Sequence, residues 1–266
     1  MKLAVAGSIA LSMCLVTRAD ILYTAYAQDG TNRLATIDTA TGLVTEVGQL
    51  STLGTLGIQG LAWDSSSNTL LTFANNDRML VRIDPVTANA TFVGNPQNDN
   101  GLIAGLVYDP IRDKLYGTEG LGLSTTQIHE IDRVTGAFTP IGDPVEYGSG
   151  LTFYPATGEV LMTDSFPGAL ASWNPDTQVL TPIGNVNPAH GLAWSPVDNA
   201  LYATSSVNLP DPSNLLYQID PTTGATINTI TLSESHYYAA LTAIPAPGAA
   251  GILLLPTAAA LPRRRR

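Results

Sequence analysis

Cysteine is nearly absent: of 266 residues, only Cys14 is one. It lies inside an N-terminal apolar run, so residues 20–244 form no disulfide and offer neither a thiol nucleophile nor a thiolate metal ligand. Charge is sparse too, at 13% of the chain against roughly a quarter in an ordinary soluble domain. Basic residues are the scarcest class. Lys2 and Arg18 stand near the start and Arg263, Arg264, Arg265 and Arg266 close the chain, which leaves residues 20–244 with 22 acids against 6 bases, a net charge of −16. A surface of that sign repels phosphate backbones and excludes a nucleic-acid partner; its plain consequence is solubility outside the cell. Also missing are a P-loop, a GxSxG elbow and an HExxH pair. The three histidines, His129, His190 and His236, have no companion at a metal-ligand spacing.

What is abundant is Thr and Gly, 31 and 24 residues, within a chain that is 44% hydrophobic. That hydrophobic content suffices for a packed core and excludes disorder. The Thr and Gly bias favours strands joined by tight turns.

One phrase recurs five times: Ile37-Asp38-Thr39-Ala40-Thr41-Gly42, Ile83-Asp84-Pro85-Val86-Thr87-Ala88, Ile131-Asp132-Arg133-Val134-Thr135-Gly136, Trp173-Asn174-Pro175-Asp176-Thr177-Gln178 and Ile219-Asp220-Pro221-Thr222-Thr223-Gly224. The steps between the Asp or Asn positions are 46, 48, 42 and 46 residues. Asp bonds amides ahead of it, Pro sets φ and a late Gly accepts a positive φ, so each phrase predicts a strand ending in a hairpin.

A second phrase interleaves at the same period: Gly60-Leu61-Ala62-Trp63, Gly105-Leu106-Val107-Tyr108, Gly150-Leu151-Thr152-Phe153 and Gly191-Leu192-Ala193-Trp194. A polar turn and a further strand follow each, for example Leu70-Leu71-Thr72 and Leu161-Met162-Thr163. After each hairpin comes a fourth strand such as Thr139-Pro140-Ile141-Gly142 or Thr181-Pro182-Ile183-Gly184. Pro140 and Pro182 place that strand on an outer edge, where a missing N–H is tolerated. Four strands repeating about every 45 residues describe the blades of a β-propeller; a β-sandwich of short strands is the other architecture, and periodic phrases argue against it. The repeat begins at a second strand, Ile21-Leu22-Tyr23-Thr24, and ends with a first-strand phrase, Tyr238 to Ile244. The expected fold is therefore all-β, a five-bladed propeller of four-stranded blades over residues 20–244, the first blade closed by the C-terminal strand.

The two ends read as addresses. Residues 1–19 carry Lys2, an apolar stretch from Leu3 to Val16 and Thr17-Arg18-Ala19, the grammar of a secretory signal peptide cut after Ala19. A lipoprotein signal anchored at Cys14 would want a small residue where Met13 stands. At the other end, Pro245-Ala246-Pro247-Gly248 precedes a 14-residue apolar run, Ala249 to Pro262, and then Arg263, Arg264, Arg265 and Arg266. Residues 245–266 resemble the PEP-CTERM sorting signal of Gram-negative bacteria, with Ala246 where the family name puts Glu. The resemblance implies cleavage near Pro245–Pro247 by an exosortase-type transpeptidase. The Arg cluster suits a cytoplasmic end, and the short run suits a transient membrane anchor rather than a permanent span of about 20 residues.

The repeats themselves resemble a loose family of extracellular bacterial propellers with Ile-Asp-Pro-x-Thr-Gly phrases, some carrying PEP-CTERM tails. This implies a protein secreted by, or held in the envelope of, a Gram-negative-type bacterium, with signal peptidase and the exosortase-type enzyme as partners during export. It transfers no catalytic residue.

Candidate binding residues come from geometry. His129 lies in a third strand and reads as an ordinary strand residue. His190 precedes Gly191, aligned with Gln59, Ala104, Ser149 and Ala239 of the other blades. In a propeller the fourth-to-first and second-to-third connections share one face, so polar residues there converge on a channel mouth. The expected set is Gln59, Asn75, Glu119, Tyr147, Ser149, Asp164, His190 and Tyr238, with Asn76, Asp77 and Ser165 nearby. Trp63, Trp173 and Trp194 occupy repeated strand positions and read as core. The function this supports is a non-enzymatic binding or structural module for a glycan, matrix component or protein, with no cofactor. The alternative is a metal-dependent hydrolase or lactonase of the six-bladed calcium type, with Glu119, Asp164 and Asn75 as oxygen ligands.

Overall fold

Each Ile-Asp phrase turns the chain for a local reason. Asp84 Oδ1 accepts the Val86 and Thr87 amides at 2.8 and 2.9 Å. Asp38, Asp132 and Asn174 hold their hairpins in the same way. The residue four places on donates its N–H back to the Asp or Asn carbonyl and takes a left-handed φ: 72° at Gly42, 74° at Gly136, 77° at Gly224 and, where no glycine stands, 58° at Ala88 and 59° at Gln178.

The computed structural model describes residues 20–50, 57–75, 77–94, 102–122, 125–146, 148–164, 168–205 and 214–245. Those residues form 20 strands and no helix. Blade 1 holds β1 (Ile21–Gln28), β2 (Thr31–Asp38) and β3 (Val44–Gln49). Blade 2 is β4 (Ile58–Asp64), β5 (Thr69–Ala74), β6 (Met79–Ile83) and β7 (Ala90–Val93). Blade 3 is β8 (Ile103–Asp109), β9 (Lys114–Gly122), β10 (Thr125–Ile131) and β11 (Phe138–Val145). Blade 4 is β12 (Gly150–Tyr154), β13 (Glu159–Asp164), β14 (Ala169–Asn174) and β15 (Val179–Asn185). Blade 5 is β16 (Ala189–Ser195), β17 (Ala200–Ser205), β18 (Leu215–Ile219) and β19 (Thr226–Thr231), and the last strand, β20 (Tyr238–Ala243), returns to blade 1.

Every sheet is antiparallel and runs in chain order from axis to rim, except that β20 is the innermost strand of blade 1. It pairs with β1 from Leu22↔Ala243 to Tyr26↔Tyr238, which closes the ring. The chain is thus a five-bladed β-propeller. Pro140 and Pro182 lie on the outermost strands β11 and β15, as their missing N–H requires.

Five apolar clusters fill the five joints between neighbouring blades. In the joint between blades 3 and 4, for instance, Trp173 is buried with Tyr116 edge-on at 5.1 Å. A polar device recurs beneath them. Each second strand carries a fully buried threonine, Thr24, Thr72, Thr118, Thr163 or Thr204, whose hydroxyl bonds backbone of the innermost strand or of the loop leading into it. Five hydroxyls satisfied in this way tie the axis to the blades without a buried charge.

Antiparallel order fixes two faces. The upper face carries the connections into each innermost strand and from second to third strands. The lower face carries the first-to-second turns and the Asp hairpins.

Candidate functional site

The innermost strands converge at their upper ends because glycine stands there. A Cβ on Gly60 would lie 2.7 Å from the Leu106 nitrogen, and one on Gly150 would lie 2.6 Å from the His190 oxygen. Backbone packs on backbone at this level. Among the described residues, the upper axis holds a recess of about 10 Å³ between the glycines, with Ser149 and His190 at its edge, room for about one water molecule.

Three residues further down each strand the side chains are large and the strands splay. There the lower face opens into a depression of about 260 Å³. Leu61, Leu106 and Leu151 form its floor, and Trp63, Tyr108, Phe153 and Trp194 form a collar. In blade 1 the collar position is Ala243, which pairs with Leu22 as Trp63 pairs with Leu70. Pro110, Pro155, Pro196 and Pro245, with Ser65 in the corresponding place of blade 2, make the rim.

The lower face is rich in ionic groups, and those nearest this hollow are engaged in bonds within and between blades. Arg133 of blade 3 reaches Asp64 of blade 2 at 2.9 Å and Asp113 at 2.5 Å, and its guanidinium carbon lies 4.9 Å from the centre of the Tyr108 ring. Arg112 bonds the buried Asp109 at 2.7 Å and grips Asp176 of blade 4 with two hydrogen bonds of 2.8 and 2.6 Å. Between blades 5 and 1, Ser195 donates to Asp20 at 2.6 Å and Thr39 to Asp198 at 2.8 Å. Burial and then the hydrogen bond to Asp113 raise the Tyr108 phenol above its ordinary value, keeping it neutral. Burial lowers the His190 imidazole, which keeps that ring neutral as well.

The expected binding residues are dispersed. Ser149 and His190 meet at the upper recess, where His190 packs edge-on against Tyr237 at 5.2 Å. Gln59 is half-buried in β4. Asn75 is buried, with both ends of its amide bonded to the Ile103 backbone at 2.8 and 2.9 Å, so it joins blade 2 to blade 3. Glu119 lies on β9 with Oε2 2.7 Å from Nε2 of His129 on β10. The contact has ion-pair distance but lacks hydrogen-bond alignment, since neither ring nitrogen of His129 has a hydrogen-bond partner. Asp164 ends β13, half-buried. Tyr238 is in the core, edge-on to Tyr26, with its hydroxyl donated to the Glu234 carbonyl at 3.0 Å. Asp77 is exposed beside β6. Tyr147, Asn76 and Ser165 lie outside the described residues, as do residues 1–19 and Ala246, Pro247 and Arg263 to Arg266. Among the described residues no group of three or more His, Cys, Asp and Glu side chains is placed to hold a metal ion. Asn75, Glu119 and Asp164 stand on three different blades.

One reading of the tryptophans needs correction. Trp173 is core, but Trp63 and Trp194 are half-buried and face the lower depression. Their repeated position signalled packing; that it flanks an opening follows only from how far the five strands splay. A second lower-face hollow, a polar groove of about 390 Å³ between blades 2 and 3, holds the pairs of Arg133 with Asp64 and Asp113 and of Lys114 with Glu130, together with Arg82, whose guanidinium donates to the Arg133 carbonyl at 3.4 Å, and Asp132.

No protein-family model and no curated protein matches the sequence. Among solved structures, the chain is similar to one from the crystal structure of a nidogen/laminin complex, with a TM-score of 0.56 at 12% identity over 84% of this chain and 97% of that one. It is also similar to TolB from Acinetobacter baumannii, with a TM-score of 0.50 at 12% identity over 84% of this chain and 66% of that one. A gluconolactonase from Xanthomonas campestris gives a TM-score of 0.47 at 14% identity over 80% of this chain and 86% of that one. At these identities the likeness is one of fold alone.

Proposed function

We propose that the chain is an exported propeller acting as a non-enzymatic binding module, with its ligand seated in the lower depression. One observation carries this reading: an aromatic collar surrounds a hollow whose wall, among the described residues, bears no carboxylate, imidazole or amine. Such a wall offers burial of apolar surface, and its one phenol, Tyr108, has its hydroxyl donated to Asp113. Residues 1–19 and 245–266 support export, with release to the envelope or the exterior of a Gram-negative-type bacterium after cleavage at both ends.

The test pairs a lactone and ester turnover screen and a calcium-dependent thermal shift with capture of partners from envelope fractions. Silence in the first two, with capture lost in Trp63→Ala and Trp194→Ala, is the expected result. Calcium-dependent turnover of a lactone or ester would replace this reading with the hydrolase.

A further inference from the structure

The collar has one gap, and its place is informative. Going round the axis, β20 lies between β16 and β4, so Ala243, the only small collar residue, sits between Trp194 and Trp63. We propose that this gap is a slot for an uncharged planar ring carrying a single hydrogen-bonding group, such as an indole or a phenol, stacked between the two tryptophans. The proposal rests on the binding reading above and names the chemistry of its ligand.

The lining selects that class by exclusion. A pyranose brings several hydroxyls, and the wall meets them with single, separated groups, the Ser65 and Thr242 hydroxyls and the Trp63 and Trp194 indole N–H groups, since Thr152 Oγ1 already accepts the Trp194 amide at 2.9 Å and the Tyr108 hydroxyl is donated to Asp113 at 2.6 Å. Sugar hydroxyls left unpaired against an apolar wall lose their water bonds without replacement. A cation would meet ring faces alone, because the described lining carries no carboxylate to neutralise it and the Tyr108 ring is already engaged by Arg133. An anion finds no base. A planar apolar ring, by contrast, gains offset or edge contacts with two indoles, and Thr242, which lines the slot next to Ala243, supplies one hydroxyl for one polar atom.

The same alignment provides a fold-safe test. Every other blade carries Trp, Tyr or Phe at the collar, so Ala243→Phe places in blade 1 the side chain that blade 4 already holds as Phe153, filling the gap without removing a core contact. Saturation-transfer NMR on the purified chain would use indole, N-acetyltryptophan amide, methyl β-D-glucopyranoside and tetramethylammonium as probes. Indole is expected to bind, with at least a tenfold loss in Ala243→Phe, whose melting temperature stays near the parent's, and in Trp194→Ala, measured below that variant's own lower melting temperature because Trp194 also packs edge-on against Tyr154. Indole alone binding points to a free small molecule, and binding of the amide as well points to an aromatic side chain of a polypeptide. If the glucoside or tetramethylammonium binds in place of indole and Ala243→Phe abolishes it, the ligand class is wrong and the site stands. If no probe binds, or binding ignores all three substitutions, Trp63→Ala included, the slot falls, while the binding module stands or falls separately on whether envelope capture is lost in Trp63→Ala and Trp194→Ala.

Discussion

Thr24 donates its hydroxyl to the carbonyl oxygen of Ala240 at 2.7 Å, across 216 positions of sequence. The bond is fully buried where β1 meets β20, so the first and last strands of the propeller share a polar contact as well as a ladder. Removing residues 236–244 is expected to open blade 1 and abolish cooperative thermal unfolding, and Thr24→Val to cost about 1 kcal/mol. A truncated chain that melts like the parent would show that closure does not depend on β20.

Arg112 compensates a carboxylate that water cannot reach: the Asp109 side chain is 0% exposed. Arg112→Met should destabilise by on the order of 3 kcal/mol, since one partner of a buried pair is left behind. Arg112→Met combined with Asp109→Asn should recover part of that loss in urea unfolding. Equal instability of the single and double variants would place the energy in the Asp176 contact instead.

Acid should weaken the fold in two stages. The half-buried His190 imidazole lies below its ordinary value, so the unfolded chain takes up its proton first and stability falls as pH drops below about 6.5. The carboxyls of Asp84 and Asp132 lie low because hairpin amides stabilise the anion, and Asp220 because the Thr222 hydroxyl and amide do. Burial alone would raise Asp64, but bonds from Ser66, Ser67 and Arg133 outweigh it. These four contribute fully above their unfolded value of about 4, and that contribution is lost as pH falls through the lower folded values. His190→Gln, which copies Gln59 of blade 2, should remove the first stage in melts from pH 7 to 3, and Asp64→Asn should shallow the second. A pH profile unchanged by either substitution would contradict these assignments.

Two glycines in strands should respond with opposite signs. A Cβ on Gly184 would lie 2.1 Å from the Thr223 oxygen in the next blade's hairpin, whereas one on Gly120 meets nothing within 4 Å. Gly184→Ala should therefore destabilise by about 1–3 kcal/mol, and Gly120→Ala should be neutral or stabilise by up to about 1 kcal/mol. Matching losses in both would refute a tight joint between hairpin and fourth strand.

Export carries its own check. Mass spectrometry of native material from an exosortase-containing host is expected to find a chain starting at Asp20 and lacking the Arg263–Arg266 peptide. Intact termini would remove the sorting proposal and leave the propeller untouched.

The amino-acid sequence by itself determined the blade count, the hairpins, the outer edges and the closing strand, because each rests on short-range chemistry. Asp84 needs only the amides of Val86 and Thr87, and Pro182 excludes itself from an inner strand wherever the blade sits. The Thr24 device was less visible, since a buried threonine in a strand carries no local sign of an acceptor 216 residues away. That the lower face opens was decided by tertiary structure alone. Gly60 and Gly150 pointed to strands crowding at the axis, and among the described residues that crowding leaves a recess of about 10 Å³ on the His190 face. Splay at Trp63 and Trp194 opens the other one. Both depend on five strands from all along the chain meeting at one axis, a relation that no window of sequence contains.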